Sequence, residues 1–513
     1  MLERRKMIPL TIAVVTVLAI VPAPMSTAQP VHGRARPATP ELIERAVGRG
    51  EISEAEGALF LTWAFTAPRR VPEAYVSDTP WSGTLPLLGL QRILPSLGDA
   101  QAARLARTEL RGPTFACRGT RGSLPNTRSS RHFYLQYRAS SLVSLTIARY
   151  AATLDTAWET EVRRFGWARP PRDPGRRPPG GRYPVRVENL SAGLYGYVSG
   201  TAIVGNNRAT PWNDRDAAAS CMVLNRDFAQ FPGSPLDALR ATAAHEFNHS
   251  IQFGYGALTP PGKVIDVLVE GLATEMEDEV FDPSNDSYNY LWPRFTSPMG
   301  RYGGSPYPYW VVFRAMAERF GTGRRGGSED VYQAFWEQVS RRASTNLAAL
   351  GRAFKTTRIT LSDAYHDASI ALRFLQDCSD TKRRYCLEEG PEYAAFRGGN
   401  ADHAALGPSP DSATRSIAND YALNWIGLPV GGTYDLAVVH DRGTGRLRVS
   451  VACRQGTEVR VTPVGVAKAS NDAALNGFSP GPCDEVTAVV SNVRQTSPTP
   501  RSITKTRYTI SIT

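Results

Sequence analysis

The chain has 513 residues, of which 42% are hydrophobic and 21% are charged, and its formal net charge is +11. This length predicts two or three domains, and the composition excludes a globally disordered chain. A positive balance favours acidic partners in principle, so the distribution of the charge along the chain has to be considered.

The first 28 residues have the pattern of a secretory signal peptide. Basic residues at positions 4–6 precede an apolar run at 8–21, which ends in prolines and the small residues 26–28. The run is too short and too proline-bounded for a membrane span, and no later segment is apolar enough for one. We therefore expect a secreted protein without stable membrane insertion; a retained N-terminal anchor is the alternative.

Residues 29–125 are predicted to form an N-terminal helical region. Apolar spacing indicates one helix from Glu41 and another over 54–65, with a break at 48–51, which together make a helical hairpin. No residue of this region suggests chemistry.

Residues 126–400 are predicted to be an α+β domain, because strand-like segments come first and helices dominate afterwards. The predicted strands are 132–138, 184–190, 194–199 and 218–225, and the predicted helices are 140–165, 234–254, 263–280, 308–320, 329–343 and 361–375. We expect the strand at 218–225 to be a sheet edge to which an extended peptide can add.

The densest positive charge lies at 163–186 and is interleaved with Trp167 and Tyr183, a pattern that raises nucleic-acid binding. Its many prolines and glycines favour a solvated connecting loop instead. The sequence therefore predicts no nucleic-acid partner.

The stretch ATAAHEFNHSIQFG carries the clearest chemical signal of the chain. His245 and His249 are four residues apart, so on a helix both imidazoles project from one face and can reach the same metal ion. Glu246 lies one step round the helix, where its carboxylate can hold a water without ligating the metal. This is the H-E-x-x-H arrangement of two zinc ligands and a general base.

The next predicted helix offers a third ligand in Glu270, which follows two apolar residues and would be costly to bury without a cation. Glu277 is seven residues further on and faces the same way. It either hydrogen-bonds a ligand imidazole or belongs to a solvated acidic face. For Glu275 and Asp278 we expect the solvated face.

From residue 410 to 513 the chain is rich in β-branched residues, alternates between apolar and polar positions and has almost no helix signal, which predicts a C-terminal β-sandwich with an accessory role.

The chain has six cysteines, Cys117, Cys221, Cys378, Cys386, Cys453 and Cys483. An even number without a CxxC pair predicts disulfides, and proximity suggests 378–386 and 453–483, which leaves 117–221.

HEFNH followed by EGLAxxxE resembles the gluzincin clan of zinc metallopeptidases, and residues 132–345 resemble a family of bacterial secreted metalloproteases. The resemblance implies a mixed sheet with helices that carry the two motifs. It also implies that His245, His249 and Glu270 bind Zn²⁺ and that Glu246 is the catalytic base. A GxMEN-like segment, which grips the substrate's amine in the zinc aminopeptidases, is absent, so an endopeptidase acting on proteins or peptides is expected.

The residue that stabilises the oxyanion is not assigned by the sequence. The candidates are Tyr302, Tyr307, Tyr309, Tyr332 and His366.

The sequence gives weaker support for other functions. The chain lacks a G-x-S-x-G elbow. The glycine-rich run at 321–326 follows a helix rather than a strand, unlike a dinucleotide site. The main alternative is an exported, non-catalytic binding protein with a structural zinc site. The sequence does not predict an oligomeric state.

Overall fold

A computed structural model describes residues 37–98, 100–110, 124–176, 178–291, 298–299, 306–321, 330–341, 346–378, 385–394, 402–403, 405–495 and 504–513. The expected signal peptide, Cys117 and Tyr302 lie outside these residues. The described chain is a mixed α+β structure, with a mixed sheet and helices followed by C-terminal, largely antiparallel sheets.

The described residues of the N-terminal region form four α-helices, α1 (Thr39–Gly48), α2 (Glu54–Thr66), α3 (Thr84–Ile93) and α4 (Gln101–Leu110). The predicted hairpin is confirmed by α1 and α2, and Ser53 begins α2 through a reciprocal capping box with Glu56. Phe65 and Trp81 pack on Leu194 in a small core that joins the helices to the neighbouring sheet.

The central sheet has five strands, β1 (Asn126–Ser129), β2 (Phe133–Tyr137), β3 (Tyr183–Glu188), β4 (Gly196–Gly205) and β5 (Ala217–Asn225). Their order is β1-β2-β3-β5-β4; β3 is parallel to both β2 and β5, and the two outer pairs are antiparallel. The prediction of an edge strand at 218–225 is wrong. All nine residues of β5 are buried, as expected for a largely apolar strand in the middle of a sheet, and β4 lies at the edge next to it.

Helix α5 (Ile147–Trp158) lies between β2 and β3 in the chain. The helices that follow the sheet strands are α6 (Pro235–Gly254), α7 (Asp266–Val280), α8 (Trp310–Phe320), α9 (Asp330–Ser340), α10 (Asn346–Lys355), α11 (Leu361–Phe374) and α12 (Gly390–Ala394). A π-helical turn, Glu159–Arg164, extends α5. Ser234 caps α6 by accepting a hydrogen bond from the Asp237 amide, and Pro235 occupies the first turn. The packing of α6 between β5, α5 and α7 places its middle turns in the core.

The C-terminal part forms two sheets, as its alternating pattern predicts. The strands here are β6 (Gln376–Asp377), β7 (Cys386–Leu387), β8 (Asp402–His403), β9 (Asp411–Ala418), β10 (Ala422–Leu428), β11 (Tyr434–Arg442), β12 (Leu447–Gln455), β13 (Glu458–Ala467), β14 (Ala473–Phe478), β15 (Glu485–Asn492) and β16 (Lys505–Ile512). One sheet has the order β13-β12-β15-β10-β8 and the other β14-β11-β16-β9, while β6 and β7 pair separately. The first sheet packs on α11, where the Trp425 indole donates to the Ser369 carbonyl at 3.0 Å.

Disulfides join Cys378 to Cys386 and Cys453 to Cys483, which confirms two of the predicted pairs. Cys221 is also disulfide-bonded, but Cys117 lies outside the described residues. Within the part of the chain that the structure describes, every helix is too short or too polar to cross a bilayer.

Candidate metal centre

Helices α6 and α7 bring the three predicted ligands together in the core. His245 Nε2 lies 3.0 Å from Glu270 Oε2 and 3.1 Å from His249 Nε2, and the latter nitrogen lies 3.4 Å from the same carboxylate oxygen. None of the three side chains is more than 4% exposed. One donor atom from each residue therefore points to a common position.

This donor set fits a metal ion. Tetrahedral N and O ligands at about 2.0–2.1 Å from zinc lie about 3.3 Å apart, close to the separations between these three atoms. Glu270 Oε1 is buried and has no hydrogen-bond partner among the described residues. A cation between the three residues would compensate for a buried carboxylate that is otherwise costly. The buried group can thus bind a metal ion, and its two imidazoles and one carboxylate do not by themselves identify the metal.

Hydrogen bonds on the far side of each imidazole hold the rings in place. Glu277 Oε1 accepts from His245 Nδ1 at 2.7 Å, and Gln252 Oε1 accepts from His249 Nδ1 at 3.0 Å. Both bonds put the ring proton on Nδ1, so each Nε2 presents its lone pair to the centre. Of the two interpretations of Glu277, the structure shows the hydrogen bond to His245.

The support for His249 continues outward through two amides. Gln252 donates to the Asn248 side-chain oxygen at 2.9 Å, and Asn248 donates to Glu161 in the π-helical turn at 3.0 Å. Glu161 is fully buried. A buried polar chain of this kind fixes the orientation of each member.

The charges of the site favour a bound cation. Burial opposes ionisation of Glu270, but His249 and His245 hold its pKa at about 2. Burial would lower the pKa of His245, yet hydrogen bonds and charges from Glu270 and Glu277 raise it well above its usual value. The pKa of Glu277 is raised by burial. Glu270 and Glu277 therefore stabilise positive charge in the centre, either as a proton on the His245 ring or as a bound cation.

Glu246 is fully buried and directly bound by the N-terminal region. Ser82 Oγ donates to Glu246 Oε1 at 2.8 Å, and Thr84 Oγ1 donates to Oε2 at 2.7 Å. Thr84 Oγ1 also accepts the Val198 amide of β4 at 2.8 Å, so its own proton is directed to Glu246. Both carboxylate oxygens thus have hydroxyl donors.

A small cavity adjoins the site. Its lining residues are Ser82, Tyr195, Thr242, His245, Glu246, Glu277, Asp286, Tyr290 and Tyr307. The space open to the centre of a water molecule is about 10 Å³, roughly what one water needs. The cavity is therefore large enough for about one water molecule.

The oxyanion candidates differ in their position. Tyr307 lines the cavity, with its ring centroid 6.2 Å from that of His245, and burial raises its pKa so that the hydroxyl stays protonated. Tyr309 and Tyr332 are buried outside the cavity lining, and Tyr332 donates to the Phe313 carbonyl. His366 lies on α11 against the C-terminal sheet. Among the described candidates, Tyr307 is the one at the site.

The predicted solvated face at Glu275 and Asp278 is wrong. Glu275 is fully buried and Asp278 is 1% exposed, because α7 is covered by α6 on one side and α8 on the other. Arg314 on α8 lies in this acidic cluster, with its Nε 3.2 Å from Asp278 and 2.8 Å from Glu318. Arg314 is therefore the buried cation that faces Asp278, Glu279 and Glu318.

Several site residues could not be found from the sequence. Ser82 and Thr84 belong to a segment without a motif, and Asp286 and Tyr290 lie on a short 3-10 helix, Asn285–Tyr290, that follows α7. Gln252 had a usable signal, because it follows His249 by three residues on the same helix and i,i+3 side chains meet.

Neither a protein-family model nor any curated protein matches this chain.

Proposed function

We propose that the protein is a secreted zinc-dependent metalloendopeptidase of the gluzincin type. The observation that carries the proposal is the convergence of His245, His249 and Glu270. Glu246 lies beside them, on the same helix as the two histidines. A buried His, His and carboxylate set suits Zn²⁺, and three protein ligands are characteristic of a catalytic rather than a structural site.

His245, His249 and Glu270 would hold the metal, which would supply Lewis-acid activation of the attacking water and of the scissile carbonyl. Glu246 takes the proton of the attacking water on a carboxylate oxygen and transfers it to the leaving amine nitrogen. Glu277 keeps the His245 ring oriented, and the protonated Tyr307 hydroxyl is the candidate donor to the developing oxyanion.

Secretion is supported by the N-terminal sequence pattern and by the two disulfides, which form in oxidising compartments. The absent GxMEN-like segment supports internal cleavage of peptides.

The test is Glu246→Gln in the zinc-loaded protein. We expect zinc content to stay at about one per chain while cleavage of a peptide library falls roughly 10²–10⁴-fold, as for loss of a general base. Glu54→Gln, at an exposed position of α2, is the matched control. Equal turnover in the Glu246→Gln and Glu54→Gln proteins would exclude the mechanism.

A non-catalytic zinc protein is the second candidate, because the ligands and Glu246 are almost completely buried. It predicts that the parent protein binds zinc but cleaves no member of a diverse peptide library, with or without a chelator.

A further inference from the structure

The segment from Trp81 to Thr84 lies along the sheet edge beside the metal centre. The Trp81 amide donates to the Gly193 carbonyl at 2.8 Å, the Tyr195 amide donates to the Trp81 carbonyl at 3.1 Å, and the Gly83 amide donates to the Gly196 carbonyl at 2.9 Å. Trp81 forms a parallel bridge with Leu194. These are the backbone groups that an unpaired edge offers to an incoming peptide.

The same segment also hydrogen-bonds the carboxylate of Glu246. Ser82 and Thr84 each donate to one of its oxygens, and the Thr84 hydroxyl also accepts a hydrogen bond from the Val198 amide of β4. With these contacts in place, the remaining cavity holds about one water. An extended peptide cannot pair with the beginning of β4 while this segment is present.

The segment is held from behind by the N-terminal helices. Phe65 of α2 makes edge contacts with the rings of Trp81 and Tyr197, at centroid distances of 5.6 and 5.2 Å. The approach is close, since a side chain added at Gly83 would begin 2.7 Å from the Phe65 ring and 3.0 Å from Leu194. The helical region thus clamps the segment on the strand.

We propose that residues 81–84 are an internal blocking segment that keeps the site latent, and that the segment must leave the edge of β4 before substrate binds. This inference rests on the proposed function for its substrate. The closure itself concerns access to the metal centre, which can be measured without any peptidase activity.

Two variants of the full zinc-loaded chain test the proposal. Ser82→Ala/Thr84→Val removes both hydroxyls from Glu246, and Gly83→Val pushes the segment away from Phe65 and Leu194. Gly89→Val on α3 is the matched control, because a side chain there meets open space. For each protein we would measure the thermal unfolding midpoint, the rate at which a chelator removes zinc, and the turnover of a quenched peptide library.

Loss of hydrogen bonds to a buried charge should raise the population of the open state roughly tenfold or more. We therefore expect both test variants to lose zinc to the chelator about tenfold faster and to cleave peptides about tenfold faster than the parent and Gly89→Val. If Gly83→Val unfolds, the hydroxyl variant still decides the question.

The outcomes separate closure from function. Faster zinc loss without cleavage in any protein would retain the closure and reject the peptidase. Fast cleavage by the parent, unchanged in the variants, would reject the closure and retain the peptidase. Turnover that falls on loss of the two hydroxyls, with KM and zinc loss unchanged, would make Ser82 and Thr84 positioning residues of Glu246 and overturn latency.

Discussion

Two groups of carboxylates lie next to each other on α7 and face different kinds of positive charge. Asp278 and Glu279 contact the guanidinium of Arg314, a cation that the chain itself supplies. Glu270 and Glu277 face His245, whose ring carries charge only when protonated. Because buried carboxylates require compensating charge, Asp278 and Glu279 have a permanent cation in Arg314, whereas the histidine group gains from an added cation.

The largest expected effect is the loss of stability when Arg314 is replaced. Arg314→Leu leaves several buried carboxylates without their partner, so the free energy of unfolding should fall by about 3–5 kcal/mol, measured by denaturant titration of the zinc-loaded protein. Arg45→Leu is the control, because Arg45 forms an exposed pair with Glu41 and such pairs contribute at most about 1 kcal/mol. Equal effects of the two changes would contradict the comparison.

The histidine group should depend on the metal instead. In Glu270→Gln the anionic ligand is lost, and zinc affinity should fall roughly 10²–10³-fold, the equivalent of breaking a buried charge pair. Competition with a chromophoric chelator measures this. Asp278→Asn, also on α7, changes a carboxylate that faces Arg314 and should keep the parent zinc affinity; loss of zinc in both variants would show that the two groups are not separate.

A smaller change is expected from the carboxylate behind the imidazole. Glu277→Gln weakens the hydrogen bond that orients His245, and partners in this position typically alter metal affinity about 10–100-fold. Glu392→Gln, which changes a carboxylate that accepts from Tyr288 outside the site, is the control. An unchanged zinc affinity in Glu277→Gln would reduce Glu277 to a packing role.

The third buried polar group, His366, provides a pH dependence of stability. Its two nitrogens contact Ser491 and Ser450 at 3.0 and 2.9 Å, and burial, together with Arg448, lowers its pKa to about 3. The unfolded chain protonates this histidine near its usual pKa of about 6.5. Stability is therefore complete above that pH and declines at lower pH by about 1.4 kcal/mol per pH unit.

Replacing this histidine should remove that contribution. His366→Gln should have a shallower loss of stability between about pH 6 and pH 4, as measured by urea titrations at several pH values. If the parent and the variant lose stability in parallel as the pH falls, protonation of His366 does not contribute to the pH dependence of stability.

The sequence alone determined the local features of this protein. Ser234 and Pro235 begin α6, the four-residue spacing puts His245 and His249 on one face, and the alternating pattern after residue 410 specifies strands. These features depend on helix and strand periodicity and on capping, which act over a few residues. The sequence could also predict that Glu270 and Glu277 face the same way, because they lie about two helical turns apart.

Tertiary structure decided what surrounds these elements. The edge of the sheet is β4 rather than β5, and the acidic end of α7 is buried because α8 supplies Arg314. Ser82 and Thr84 contact Glu246 across 164 and 162 residues of chain. Neither a periodicity nor a motif encodes such contacts, because they depend on which elements pack together. The helix that carries the two histidines was therefore readable from the sequence, whereas access to it was not.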